Sequence, residues 1–351
     1  MGHLDVFLEA MKADAAVIHR PENMRWLAGY TGEGCLFVSR NIRAIVTDFR
    51  YVHQAELQSP DWRVCRTLSQ RPAETILCEL AGQCRARRIQ VETDYLTHDG
   101  FLTLANALDG VSLTPMEVSL EGLRQVKDAD EIENIRSAAA IACQAFENLL
   151  PKLHVGMTER QVQILLDFEM LSLGSEGAAF NTIAAAGENG ALPHATPSDH
   201  VIAGGELLTL DFGATVKGYR SDMTRTIGFG KIGPALRAVY DVVLKAQTLA
   251  LAAIAPGKTC GEIDAVARDF IEAHYPGAFG HSLGHGVGLY IHEQPRVSPG
   301  NAVRLMPGHV ITVEPGVYIP GLGGCRIEDM AIMTSDGYVN PITAPKQLIE
   351  L

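Results

Sequence analysis

The segment LLTLDFGATVKGYRSDMTRT, residues 207–226, constrains this chain more than any other. Its first half alternates with period two, which sets Thr209, Asp211 and Gly213 on one face and Leu208, Leu210 and Phe212 on the other. Lys217-Gly218 marks the turn of a hairpin. The returning strand alternates in the same way, so the 11-residue separation across the hairpin can bring Asp222 beside Asp211. Two bare carboxylates in one small volume repel, and one stays protonated unless a cation neutralises them. A hairpin standing alone leaves the other outcome equally open, with both side chains pointing apart into solvent.

Two further segments weigh on the choice. HSLGHGVGLYIHEQPR, residues 281–296, carries His281, His285 and His292 among Gly284, Gly286 and Gly288, which let backbone or ligand approach closely. Its His-Glu step at 292 and 293 is not a zincin helix, because the place of the second histidine is taken by Arg296. ITVEPGVYIPGLGGCRIED, residues 311–329, puts Glu314 at a strand end before Pro315 and Glu328 after a glycine-rich turn. Two aspartates, two glutamates and one histidine form an oxygen-rich, nitrogen-poor set that suits two neighbouring divalent ions such as manganese, cobalt or zinc. Four carboxylates balance two dications. Such a pair of ions lowers the pKa of a shared water and polarises a carbonyl, which makes the set hydrolytic.

At 351 residues the chain exceeds the roughly 250 to 300 at which a single core stops growing, so two domains are expected. The net charge of −12, with no run of Lys or Arg, excludes a surface that tracks phosphates, and nucleic acid is not an expected partner. The first twenty residues carry Asp5, Glu9, Lys12 and Asp14 and do not read as a signal peptide. Residues 239–256 are apolar but interrupted by Asp241, Lys245 and Gln247, as in an amphipathic helix rather than a membrane span. The seven cysteines, at 35, 65, 78, 84, 143, 260 and 325, lack CxxC spacing and read as free thiols of a reducing, cytoplasmic compartment.

Short β-like runs at 15–19, 35–39 and 43–47, with Asn41 at a turn, open a small α/β domain. From Asp128 the pattern changes. Asp128 and Glu131 form a capping box, and Ile132, Ile135, Ala139, Ala142, Phe146 and Leu149 recur at helical spacing. A long amphipathic helix thus opens a second, α+β domain that mixes helices at 158–173 and 260–274 with strands at 207–213 and 309–313. The expected boundaries are 1–122 and 123–351. Residues 182–213 and 309–338 each deliver acidic residues on strands, but their sequences are too dissimilar to establish a duplication.

DFGA with Asp211, YRSDMTR with Asp222, HSLGHGVGLYIHE with His285, VEPGVY with Glu314 and RIED with Glu328 make the chain resemble the pita-bread metallopeptidases, in the prolidase and Xaa-Pro aminopeptidase branch. The resemblance covers nearly the whole chain. It implies a pita-bread catalytic domain preceded by a smaller α/β creatinase/prolidase-type N-terminal domain. It also implies that Asp211 chelates one ion, that Asp222 and Glu328 bridge, and that His285 and Glu314 hold the second ion. By the same resemblance His194 and His292 bind substrate and stabilise the tetrahedral intermediate, Glu314 shuttles the proton and His281 lines the proline side. Arg296 and Arg326 can each meet a substrate carboxylate. Arg326, two residues before Glu328, is read in preference as orienting that ligand. Tyr219 and Tyr318 are read as packing residues, as are Trp26 and Tyr30 in the segment 23–32 nominated to cover the active-site mouth. Cys325 is an ordinary thiol.

Proline lacks an N–H and has a fixed φ, so a site that reads extended backbone through that donor fails on it and a shaped pocket must take its place. The expected protein is therefore a cytoplasmic, homodimeric Xaa-Pro dipeptidase with two divalent ions per subunit, manganese first and cobalt or zinc next, and with no membrane partner. The alternative is an Xaa-Pro aminopeptidase acting on longer peptides. A metal-free creatinase-like hydrolase and a non-catalytic binding module are disfavoured because all five ligand positions are filled, and a methionine aminopeptidase is disfavoured by the N-terminal domain.

Overall fold

The computed structural model describes residues 2–351, which divide between Arg124 and Gln125 into two compact units. The first is built on strands β1 (Ala15–Ile18), β2 (Cys35–Ser39), β3 (Arg43–Thr47), β4 (Arg63–Arg66), β5 (Arg88–Val91) and β6 (Ser112–Pro115). They form one sheet in the order β4-β3-β2-β1-β5-β6, in which β1, β2 and β3 run antiparallel and the outer strands join in parallel. The central strands are buried on both faces, which is why AAVI and CLFVS read as continuous apolar runs instead of alternating. Six helices accompany the sheet: α1 (His3–Ala10), α2 (Pro21–Ala28), α3 (Val52–Gln58), α4 (Ala73–Cys84), α5 (His98–Ala107) and α6 (Leu120–Arg124). Pro21 opens α2 and Gly29, at φ 72°, ends it. Trp26 stacks on His3 at 4.4 Å, and the buried Tyr30 hydroxyl donates to Glu33 O at 2.8 Å, so both serve packing.

The second unit opens with α7 (Ala129–Leu149), where the Asp128 carboxylate accepts from Glu131 N and the Glu131 carboxylate accepts from Asp128 N, each at 2.9 Å. Ile135, Ala139, Ala142, Phe146 and Leu149 are its buried stripe. Thr158 caps α8 (Glu159–Ser172) and Thr259 caps α10 (Cys260–Glu272). Between them lies α9 (Pro234–Ala253), which begins earlier than its apolar run suggests because Pro234 sits in the first turn, where a missing N–H costs nothing. Among the described residues no helix is long and apolar enough to cross a membrane.

Strands β7 (Ile183–Ala186), β8 (Leu207–Phe212) and β11 (Met223–Gly228) form an antiparallel sheet in which Asp211 pairs with Thr224. The link from β8 to β11 is a small ribbon, β9 (Thr215–Val216) with β10 (Tyr219–Arg220), whose turn residues Lys217 and Gly218 have φ of 46° and 74°. The second sheet, in the order β13-β12-β14-β17-β18, comprises β12 (Gly284–Gly286), β13 (Glu293–Val297), β14 (Val310–Val313), β17 (Asp329–Met333) and β18 (Tyr338–Val339). A ribbon of β15 (Gly316–Ile319) and β16 (Gly323–Arg326) runs between β14 and β17. Ile311 and Val313 of β14 belong to a core shared with Val243, Ala250, Ile263 and Ala267 of α9 and α10. Period two turns Thr312 to the opposite face of that sheet.

Candidate active site

That opposite face carries the site. Val313 pairs with Asp329, so Glu314 just after β14 and Glu328 just before β17 lie one step beyond the ladder, side by side. Asp211 near the end of β8 and Asp222 just before β11 approach from the other sheet. His285 sits in β12 between two glycines whose backbone is crowded. A Cβ at 284 would stand 2.0 Å from Thr312 O, and one at 286 would stand 2.2 Å from Gln294 O.

The His285 ring is fixed by its own surroundings. Nδ1–H donates to Gly286 O at 3.0 Å, which leaves the Nε2 lone pair directed at Asp222 Oδ2 (3.5 Å) and Glu314 Oε1 (3.3 Å). Two threonines hold the carboxylates. Thr312 Oγ1 accepts from His285 N and donates to Glu314 Oε1, both at 3.1 Å, while Thr224 Oγ1 donates to Glu328 Oε2 at 2.7 Å.

Among the described residues Asp211 Oδ1, Asp222 Oδ1 and Glu328 Oε1 are buried and meet no hydrogen-bond donor. Unsatisfied buried acceptors are costly and need a physical reason. Burial and the neighbouring carboxylates raise Asp222 and Glu328 well above the ordinary carboxyl range, and burial pushes Glu314 up to about 8. Burial also pushes His285 down to about 3, so its imidazole is neutral. Ligand atoms of Asp222, His285 and Glu328 lie within 4.8 Å of one another. A pocket of carboxylate oxygens with no donors and one neutral imidazole lone pair fits divalent cations.

The site opens into a cavity of about 920 Å³ whose walls include His194, His281, His292 and Arg296. The His292 ring meets His285 edge to face at 4.5 Å. His281 lines the cavity, but Nδ1–H donates to Ser282 O (2.8 Å) and Nε2 accepts from the Tyr318 hydroxyl (3.0 Å), so both ring nitrogens are engaged within the protein. Arg326 also lines the cavity, with its guanidinium engaged within the protein on Asp211 Oδ2 (2.6 Å), Tyr318 Oη (2.7 Å), Pro193 O (3.2 Å) and Thr224 Oγ1 (3.2 Å), so the carboxylate it touches is Asp211 and not the nearby Glu328. Arg268 is likewise bound to Asp264. Arg296 alone of the three cavity arginines has a side chain with no protein acceptor among the described residues.

Several contributors carry no signal in the sequence. Thr312 reaches His285 across 27 residues, the Tyr318 hydroxyl reaches His281 across 37, and Thr224 reaches Glu328 across 104. Behind His292, the Lys127 ammonium lies 3.1 Å from Glu293 Oε2 with both side chains 1% exposed, so Glu293 is structural. Tyr219 donates to Glu131 Oε1 at 2.8 Å and belongs to the core. Cys325 is buried and its thiol is pushed up to about 12 by burial, as an inert thiol should be.

Fold and pocket together define a metal-dependent peptidase. Residues 133–335 match the model of metallopeptidase family M24, and residues 1–126 match the creatinase/prolidase N-terminal domain. The chain belongs to metallopeptidase family M24 and has its pita-bread domain behind a creatinase-type N-terminal domain, as the sequence motifs imply. The uncharacterized peptidase YqhT of Bacillus subtilis is 39% identical over 343 residues, 96% of each chain. Among solved structures, the Xaa-Pro dipeptidase from Bacillus anthracis superposes with a TM-score of 0.95 at 37% identity, covering 99% of this chain and 98% of its own. The X-Pro aminopeptidase from Thermotoga maritima gives 0.91 at 34%, covering 98% and 99%.

Proposed function

We propose that this protein hydrolyses the peptide bond preceding a proline, with two divalent ions held by Asp211, Asp222, His285, Glu314 and Glu328. The observation that carries the reading is the set of three buried, donor-free carboxylate oxygens, on Asp211, Asp222 and Glu328, in the site where the His285 lone pair meets Asp222 and Glu314. Four carboxylates to one imidazole suit manganese first, with cobalt and zinc as alternatives. Bound there, the ions supply acidification of a shared water and polarisation of the scissile carbonyl.

The protein's own residues do the rest. Asp222 and Glu328 would help hold the ions, Asp211 is aimed by Arg326, and the Glu314 carboxylate takes the proton of the attacking water and delivers it to the departing proline nitrogen. His292 and His194, on the cavity wall, hold the substrate carbonyl and stabilise the charge that develops on its oxygen. Water is consumed, the C–N bond breaks, and the products are the preceding residue's carboxylate and a free proline amine.

Arg296 gives the reading its length preference. A cavity cation without an internal acceptor is placed to take the C-terminal carboxylate of an Xaa-Pro dipeptide. The cavity's size, at the upper end of the usual range for small-ligand pockets, supports the second reading, an Xaa-Pro aminopeptidase with room for residues beyond proline. By resemblance the enzyme is a homodimer. Paired hydrolysis of Ala-Pro and Ala-Pro-Ala by the manganese-reconstituted protein tests the assignment. Cleavage of the dipeptide alone supports the dipeptidase, efficient cleavage of the tripeptide replaces it with the aminopeptidase, and metal-independent or absent cleavage of both removes the proposal.

A further inference from the structure

Arg225 heads the fully buried side chains by size, at 2% exposed, and no step above uses it. Its Nη1 donates to Thr224 O (2.9 Å) and to Glu328 O (2.6 Å), at the crossing where Glu328 N donates to Thr224 O and Thr224 Oγ1 donates to Glu328 Oε2. The backbone on both sides of the Glu328 carboxylate contact is therefore held by one guanidinium nitrogen.

The remaining donors of Arg225 reach Asp329 and the segment 340–351. Nη2 donates to Asp329 Oδ1 (2.8 Å) and Ala344 O (2.7 Å), and Nε donates to Pro345 O (3.0 Å). Asp329, 0% exposed, accepts on Oδ2 from Asn340 Nδ2 (3.0 Å), Gln247 Nε2 (3.0 Å) and Lys346 Nζ (2.7 Å). The segment is itself pinned, by the Tyr240 hydroxyl on Lys346 O (2.7 Å) and by the exchange between Gly228 and residues Ile349 and Leu351. A guanidinium is a rigid planar fork, so its orientation toward Glu328 O is set by what the other edge of the fork binds. That other edge binds the 340–351 segment.

The geometry points to residues 340–351 as a positioning element of the metal centre, which fixes the backbone at Glu328 through Arg225 and Asp329 and thereby sets metal affinity. This inference rests on the reading of Glu328 as a metal ligand. Neither Arg225 nor Lys346 touches substrate or metal, so both are positioning residues. Loss of an outer partner of a ligand typically weakens metal binding by about tenfold to a hundredfold.

The test is calorimetric titration of manganese into the metal-stripped full chain, with electron paramagnetic resonance of the loaded protein to detect the spin-coupled pair. Lys346→Met keeps the alkyl stem and removes the ammonium, with its bonds to Asp329 Oδ2 and Gln247 Oε1. Arg225→Lys keeps the charge and removes the fork. Thr259→Ala serves as a stability control, since it removes the cap of α10 without touching this network. Lys346→Met is expected to bind the weaker manganese about tenfold less tightly and to lose the coupled signal, Arg225→Lys to lose more, and Thr259→Ala to bind as the wild type does. Wild-type affinity and an intact coupled signal in folded Lys346→Met overturn the inference, whether or not Arg225→Lys folds. A wild-type protein that binds no manganese overturns the ligand reading itself, which is a separate result.

Discussion

Arg326 Nη2 stands 2.6 Å from Asp211 Oδ2, while Asp211 Oδ1 meets no donor among the described residues. One oxygen of this carboxylate is committed to the protein and the other is left for a ligand. The same guanidinium also grips Tyr318 and Thr224, so it fixes the carboxylate plane as well as its charge. Arg326→Met is expected to fold, to bind manganese about tenfold to a hundredfold more weakly and to lose most of its kcat. Arg326→Lys restores little, because a point charge cannot span those partners. Calorimetry with initial rates on Ala-Pro measures both, and wild-type affinity in Arg326→Met contradicts the assigned role.

His292 borders the His285 ring, and its proposed role is toward the substrate and not the metals. His292→Ala is expected to lower kcat about a hundredfold, the cost of removing one donor from a developing oxyanion, with manganese stoichiometry unchanged. Loss of bound metal together with activity places His292 in the metal set instead.

Arg296→Ala separates binding from chemistry. If the guanidinium takes the dipeptide carboxylate, its loss raises KM for Ala-Pro about tenfold to a hundredfold, as expected for a charged hydrogen bond, and leaves kcat within a few-fold. KM for Ala-Pro-Ala changes far less. Equal effects on the two substrates place Arg296 on a backbone group common to both.

The metal-free protein should lose stability as pH rises from 6.5 to about 8. Burial pushes Glu314 up to about 8 and drives Asp222 and Glu328 upward as well. A carboxyl raised on folding contributes stability that is full below its unfolded value near 4 and is lost as pH climbs through the folded value. His281, His285 and His292 are shifted down, so their contribution is complete above 6.5 and is lost only on acidification. In the window from 6.5 to 8 the carboxyls act alone. Thermal melts at both ends, with and without manganese, check this. Tm falls only in the metal-free series, and a flat metal-free series contradicts the account.

What was legible in the sequence was local. The Asp128 to Glu131 capping box, the Lys217-Gly218 turn and the strands β2 and β3 depend on residues a few positions apart, and they lie where the pattern puts them. Alternation in β8 was legible in polarity but not in exposure. All six residues from Leu207 to Phe212 are buried, because the polar face packs into the site instead of facing water. The illegible parts join residues far apart in the chain. Thr224 to Glu328, Lys127 to Glu293 and Arg225 to Asp329 are separated by 104, 166 and 104 positions. A lone threonine or lysine carries no sign of which strand will cross it. The choice of Asp211 as the partner of Arg326 belongs to the same class, since proximity in sequence favoured Glu328.

The central claim is a two-ion hydrolytic centre, and one measurement addresses it directly: manganese stoichiometry by calorimetry alongside Ala-Pro hydrolysis, in the wild type and in Asp222→Asn. The account predicts two equivalents per chain and manganese-dependent cleavage in the wild type. It predicts loss of at least one equivalent, and of cleavage, in Asp222→Asn. Undiminished cleavage by the metal-stripped wild type, or full activity in Asp222→Asn, contradicts it.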